Sequence, residues 1–288
     1  MSNQIHRNNN PELPCLEELW YAGYSYTGDV NSDGNAHATD FNALGHLVGR
    51  TWCLDGESSL GVFYNYERQD SRAEEVRSHI ESDSHRMRLY LISERDDFYG
   101  TFTAFGGFND FDSTRNVSVN MISEQNLGDF DGWSSAVNFE SGWTYEEDDF
   151  LVQPFMGLQW MQLTTDGFQE TGGDITALAL QKMNINSVRT QVGGRAKIFA
   201  LEDRFSMDVE ASWLHELQDY EEEYSAGLVS TPGQRFLARG VNMGNDWLNV
   251  GPSMNLSLGP VDLFLKYQAS IGEEGTLHSG QWGSEMTW

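Results

Sequence analysis

Apolar and polar residues alternate along most of this chain. From Trp133 to Tyr145 one face carries Trp133, Ser135, Val137, Phe139, Ser141, Trp143 and Tyr145, and the other carries Ser134, Ala136, Asn138, Glu140, Gly142 and Thr144. A period of two predicts a β-strand. Its thirteen residues exceed the roughly 5–6 of an average globular strand, and its aromatics sit at both ends of the apolar face, where the two interfaces of a bilayer would lie.

The same alternation recurs at Leu60/Val62/Tyr64/Tyr66, Met87/Leu89/Leu91, Phe98 to Phe108, Val152 to Trp160, Val188 to Ala196, Phe205 to Trp213, Leu248 to Leu256 and Val261 to Ile271. Weaker segments at Leu19 to Tyr26, Asp40 to Arg50 and Ser279 to Trp288 bring the expected number of strands to twelve. An even number is what an up-and-down barrel in a bacterial outer membrane needs.

Connections alternate in length. Short acidic turns are expected at Leu54 to Ser58, Arg95 to Asp97, Glu147 to Asp149, Ala200 to Asp203 and Leu258 to Pro260. Polar loops are expected at Gly28 to Ala38, Gln69 to Asp83, Asn109 to Asp131, Thr164 to Asn186, Gln218 to Asn245 and, shorter, Gly272 to His278. Both termini then fall at the short-turn end, which in such a barrel is the periplasmic side.

The second face of these strands is polar. Arg189, Gln191, Arg195 and Lys197 share one face of the eighth strand, and Asp208, Glu210, Ser212 and Glu216 one face of the ninth. A hairpin through residues 200–203 is expected to set Arg195 against Asp208 and Lys197 against Glu210. These four, with Arg86, Arg88, Glu140, Arg189 and Lys266, are the expected polar residues of a lumen, where they would hold the pore open and hydrated. Trp133, Trp143, Trp160, Trp213, Trp282 and Trp288 are expected toward lipid or its interfaces.

Composition narrows the function. The 288 residues carry 17 Lys plus Arg against 44 Asp plus Glu, a net charge of −27, which excludes a nucleic-acid partner. Aromatics at 12% with 29 Gly and 6 Pro favour pleated sheet over helix. No apolar run of about 18 residues marks a membrane helix, but the mean hydropathy of −0.50 suits a barrel whose strands are polar on one side. Met1 to Asn10 hold no apolar segment of a secretory signal. Cys15 and Cys53 read as two unrelated thiols; a bridge between them, the alternative, would pin the N-terminal segment to the first hairpin in an oxidising compartment.

Several stretches carry a family resemblance. They are Tyr24-Ser-Tyr-Thr-Gly-Asp-Val-Asn-Ser-Asp-Gly-Asn35, Ser59-Leu-Gly-Val-Phe-Tyr-Asn-Tyr66, Gln153-Pro-Phe-Met-Gly-Leu-Gln-Trp160 with Asp166-Gly-Phe168, and Ala211-Ser-Trp-Leu-His-Glu216. In order and spacing they resemble the first, third, seventh and ninth strands of the translocator (β) domain of classical autotransporters, the twelve-stranded outer-membrane barrel of type V secretion. The resemblance runs from about Leu19 to Trp288. It implies an all-β, antiparallel, up-and-down transmembrane barrel over 19–288, with 1–18 a short disordered leader or remnant linker.

The resemblance also implies a function: support for passage of a passenger polypeptide to the cell surface, without enzyme activity or cofactor. The final strand places Gly280, Trp282, Ser284, Met286 and Trp288 on one face, and Trp282, Met286 and Trp288 resemble the C-terminal signal read by the outer-membrane assembly machinery. Partners are then the passenger, that machinery and the bilayer. A stand-alone outer-membrane channel or surface-binding barrel is the alternative, and a membrane-embedded lipid-modifying enzyme a third class. No cleavage site is carried over to Asn8-Asn-Asn10.

Other candidate chemistry is sparse. Asp29-Val-Asn-Ser-Asp33-Gly34 matches the opening of a calcium loop with Asp40 at its twelfth position, but reads as an ordinary Asp/Asn/Gly turn. The seven histidines are scattered and form no catalytic pattern. His278 and Ser279 are neighbours on a strand and point to opposite faces, so they cannot act as base and nucleophile together. Gly23, Gly100, Gly106, Gly107, Gly157, Gly193 and Gly194 fall inside strands, where they either open the lumen or permit curvature.

Overall fold

A polar inner face can be buried only if the sheet closes on itself, and in the computed structural model it does. The structure describes residues 17–287 apart from 34–35, 56, 148–149, 201–203, 219–222 and 241–242. Twelve antiparallel strands form the wall: β1 (Glu18–Val30), β2 (Thr39–Asp55), β3 (Ser58–Ala73), β4 (Ser78–Arg95), β5 (Phe98–Val119), β6 (Ile122–Trp143), β7 (Phe150–Thr165), β8 (Met183–Ala200), β9 (Phe205–Glu216), β10 (Asp246–Ser257), β11 (Val261–Gly272) and β12 (Gly275–Thr287). Each pairs with its sequence neighbour, and β1 closes on β12 from Glu18↔Thr287 to Val30↔Gly275. Closure leaves the wall no free edge. Past Trp143 the wall continues as Tyr145–Glu147, paired with the start of β7.

Alternation decides which side chain goes where. Leu44, Val48, Met87, Val192, Val209 and Leu265 are exposed on the outer wall, as a bilayer-facing surface requires. Trp133, Trp143, Trp160, Trp213 and Trp282 are exposed with them; Trp288 and Cys15 lie outside the described residues. Of the glycines singled out in the sequence, Gly107, Gly157 and Gly193 fall on the inward parity and Gly23, Gly100, Gly106 and Gly194 on the outward one.

Inside, the short-turn half of β1 to β4 is packed with rings. Trp20, Ala22, Leu47, Phe63 and Tyr90 form a buried cluster joined by Tyr24, Ile92 and Phe264. Glycine makes room for it: a Cβ at Gly61 would fall on the Tyr90 ring, and one at Gly45 on the Tyr24 ring. Large rings lying over inward glycines are how a narrow barrel fills its taper.

Three expectations are corrected. Gln69 to Asp83 and Asn109 to Asp131 are not loops: β3 and β4 run on to residues 73 and 78, and β5 and β6 pair as far as Val119↔Ile122 around a two-residue turn. These extensions are mostly polar with scattered apolar residues, so hydrophobic periodicity is weak there while backbone hydrogen bonds continue the ladder. The loops at 166–182 and 217–245 contain a second sheet, Arg235–Arg239, Glu223–Leu228, Leu178–Leu180 and Phe168–Gln169 in that order. Finally, Cys53 is disulfide-bonded rather than a free thiol; Cys15 lies outside the described residues.

A charged inner wall as the candidate functional site

Every charged residue expected on the lumen face has the inward parity of its strand, and the strands bring them into two groups. The first centres on Arg195 of β8, 5% exposed. Its guanidinium donates to both oxygens of Glu140 on β6 (2.8 and 2.8 Å), to Glu210 on β9 (3.0 Å) and to the Tyr99 hydroxyl on β5 (3.0 Å). It also lies 4.1 Å over the Phe155 ring. Lys266 of β11 reaches Glu210 at 3.4 Å. Residue 157, opposite Glu140 on β7, is a glycine, and the guanidinium crosses β7 over the Phe155 ring.

The expected pairs Arg195/Asp208 and Lys197/Glu210 are both off by two residues. The ladder pairs Arg195 with Glu210 and Lys197 with Asp208, and Ser253 donates to Asp208 at 2.5 Å. The expected pairs are the diagonals of the observed ones, and all four side chains stay on the inward face whichever way they are matched. Periodicity therefore fixes the face and is blind to this error. Arg189 finds Glu216 (3.1 Å), which also accepts from Ser187 (2.5 Å) and the Val188 amide (2.9 Å).

The second group lies on β1 and β3 to β6. Arg86 bonds Glu67 (2.9 Å) and reaches Ser84 and, at 3.4 Å, Ser134 and Asn109. Tyr24 donates to Glu67 (2.5 Å), and Asn65 donates to the Tyr24 hydroxyl (2.9 Å). Arg88 takes one hydrogen bond, to the Asn65 carbonyl oxygen at 3.2 Å, and stacks 4.7 Å from the Phe105 ring and 5.7 Å from Phe63. The sequence reading missed Glu67, Tyr24, Tyr99, Asn65 and Asn109. Glu67 was legible as the continuation of the Gly61/Phe63/Asn65 face; the tyrosines were hidden because an aromatic signals the outer wall.

At the loop end, the 166–182 loop is tied to the face of the β5–β6 extension that lower down faces the lumen. Arg115 holds Glu170 through two hydrogen bonds, the Nε one at 2.9 Å, and the Thr176 carbonyl at 2.8 Å. Glu124 accepts from the Thr176 hydroxyl (2.7 Å) and amide (2.8 Å) and from the Ile175 amide. These bonds, the Thr176 hydroxyl first, hold the Glu124 carboxyl below its ordinary value. Phe111, Phe130 and Phe168 stack at 4.9 and 4.2 Å.

In the Asp29–Asp33 segment, Asp33 accepts from the Ala36 amide and Asp29 accepts from the Thr276 hydroxyl. His278 is on the outer wall bonded to Tyr267 (2.7 Å), while Ser279 has the inward parity. Asp70, His79 and Glu81 bring ligand atoms within 4.8 Å of one another, but Arg72 and Arg68 already neutralise the two carboxylates.

An autotransporter β-domain family model matches residues 19–268. Esterase EstA of Pseudomonas aeruginosa is 23% identical over 257 residues, covering 87% of this chain and 40% of that protein. The chain thus spans well under half the length of that curated relative. Among solved structures, the translocator domain of the autotransporter NalP from Neisseria meningitidis superposes with a TM-score of 0.80 at 12% identity, over 96% of this chain and 90% of that one. The transport unit of the autotransporter AIDA-I from Escherichia coli gives 0.61 at 16% identity, over 96% and 92%.

Proposed function

Because the chain belongs to the autotransporter β-domain family, we propose that it works as an outer-membrane translocator barrel, supporting passage of a passenger polypeptide to the cell surface. The observation that carries this reading is an apolar outer wall around an inner wall whose charges are mutually paired, Glu140–Arg195–Glu210–Lys266 on one side and Glu67–Arg86 on the other. Such pairs keep the interior hydrated and resistant to collapse without supplying a nucleophile or a cofactor site. The work is passive. Residues 19–288 are the barrel unit and 1–18 lead into it. Trp282, Met286 and Trp288 are the face of the last strand offered to the assembly machinery, and the outer wall is offered to lipid.

Refolding into detergent or lipid tests the barrel. A β-type circular dichroism spectrum, a gel band that shifts on boiling and a discrete single-channel conductance are expected; folding in water without detergent would refute the membrane reading. Passage is tested by placing a secretory signal and a passenger upstream and measuring protease accessibility of the passenger on intact cells. A barrel that inserts and conducts yet never exposes the passenger would favour a stand-alone channel.

A further inference from the structure

Most cations of the inner wall are ion-paired; among the described residues the exceptions are Lys197, which lies over the Phe199 ring, and Arg88. The Arg88 Nε is buried and bonds to nothing, and among the described residues no carboxylate lies within ion-pair distance of its guanidinium. Its contacts are the Asn65 carbonyl oxygen and the faces of Phe105 and Phe63. The nearest anion on the wall, Glu67, is engaged by Arg86 and Tyr24. Two guanidinium groups on one side of the lumen therefore face one carboxylate, in a chain whose overall charge is −27. Arg88 is half-buried on the inward parity of β4, and its guanidinium lies against two aromatic rings, a contact that suits the planar group.

From this geometry we infer that Arg88 is a carboxylate-binding site in the lumen wall, taking an Asp or Glu side chain of polypeptide inside the barrel. The inference rests on the proposed role of the lumen as a polypeptide passage. The guanidinium fork matches a carboxylate in two parallel hydrogen bonds. Asn65 accepts from one side of the fork, and the Phe105 and Phe63 rings flank the guanidinium. A segment with acidic residues would dwell here, whereas a neutral one would slide past.

The test uses the full chain refolded in a planar bilayer, with blocked Ala-Ala-Glu-Ala-Ala and Ala-Ala-Gln-Ala-Ala peptides and sodium acetate as probes. The glutamate peptide should block current for about ten times longer than the glutamine peptide, the weight of one charge-assisted contact, and Arg88→Gln should equalise them. The same probes are compared by the unfolding midpoint of the detergent-refolded barrel, a readout that needs no conduction. Arg88→Lys, which keeps the charge but loses the fork, should fall between and serves if the glutamine variant does not fold. Stabilisation by acetate as well as peptide identifies a general carboxylate site, and stabilisation by the peptide alone identifies polypeptide as the source. Equal behaviour of the glutamate and glutamine peptides, or a preference that survives in Arg88→Gln, overturns the site. Absence of conductance with a glutamate-dependent midpoint would refute the passage and leave the site standing.

Discussion

Arg195 and Glu140 are joined by two parallel hydrogen bonds of 2.8 Å across an entire intervening strand. Their residues are 55 apart in sequence, and the strand between them contributes Gly157 opposite Glu140 and a Phe155 ring beneath the guanidinium. The contact thus clamps β6, β7 and β8 together, and Glu210 and Lys266 extend it to β9 and β11.

Glu140→Gln is expected to cost about 2 kcal/mol, because Arg195 keeps Glu210 as a counter-charge. Removing both carboxylates as Glu140→Gln with Glu210→Gln leaves a buried guanidinium uncompensated and should cost about 3–5 kcal/mol. Urea unfolding of the refolded barrel measures both; a double variant no worse than the single one would show that Glu210 carries none of the load.

Gly61→Ala is expected to destabilise by about 1–3 kcal/mol, since the new methyl falls on the Tyr90 ring and an overpacked core must shift. The displaced ring would also lose its hydrogen bond to Thr51. Gly100, whose Cβ would meet nothing within 4 Å, is the control, and its alanine variant should stay within about 0.5 kcal/mol of the parent. Heat-modifiability midpoints separate the two outcomes.

The loop latch should be acid-sensitive. Glu124 is held below its ordinary value of 4.5 by hydrogen bonds from Thr176 and Ile175. A depressed carboxylate contributes stability that is present above the unfolded value and lost as pH falls through the folded one. Hydrogen exchange of the Ile175 and Thr176 amides, corrected for intrinsic rates, should therefore accelerate as pH is taken below 4.5, and at neutral pH in Glu124→Ala. Unchanged protection in that variant would mean that Arg115 and Glu170 hold the loop by themselves.

Asp110 should respond with the opposite sign. It lies directly across from Asp83 on one side and Asp131 on the other, just loop-ward of the Phe108 and Trp133 rings. Lost hydration at the crowded row first, then the charges of Asp131, Asp129 and Asp112, push the carboxyl of this exposed residue up. The folded state then binds the proton more tightly, so stability rises as pH falls from neutral through the folded value. Asp110→Asn should add about 0.5 kcal/mol at neutral pH by relieving like charges across the ladder, and should flatten that part of the stability profile. A lower midpoint for this variant would show that a cation bridges the row.

Much of this was legible in the chain. Alternation alone determined twelve strands, their order, which face of each turns inward, and the charged residues from Arg86 to Lys266 that line the interior, because a period of two is local and survives without knowledge of any partner. The short turns followed from the same signal.

What alternation could not decide was everything that depends on who stands opposite whom. Direct and diagonal partners share a face, so the pairing of Arg195 with Glu210 came only with the ladder itself. Glu140 meets Arg195 across a strand, a contact between residues that are not ladder partners and that only the closed wall brings together. Tyr24 and Tyr99 turn inward against the rule that aromatics mark the lipid face, because inward glycines leave rings the space to lie flat. The extensions of β3 to β6 and the loop sheet are held by backbone hydrogen bonds in water, where no hydrophobic pattern is required and only a weak one was there to read.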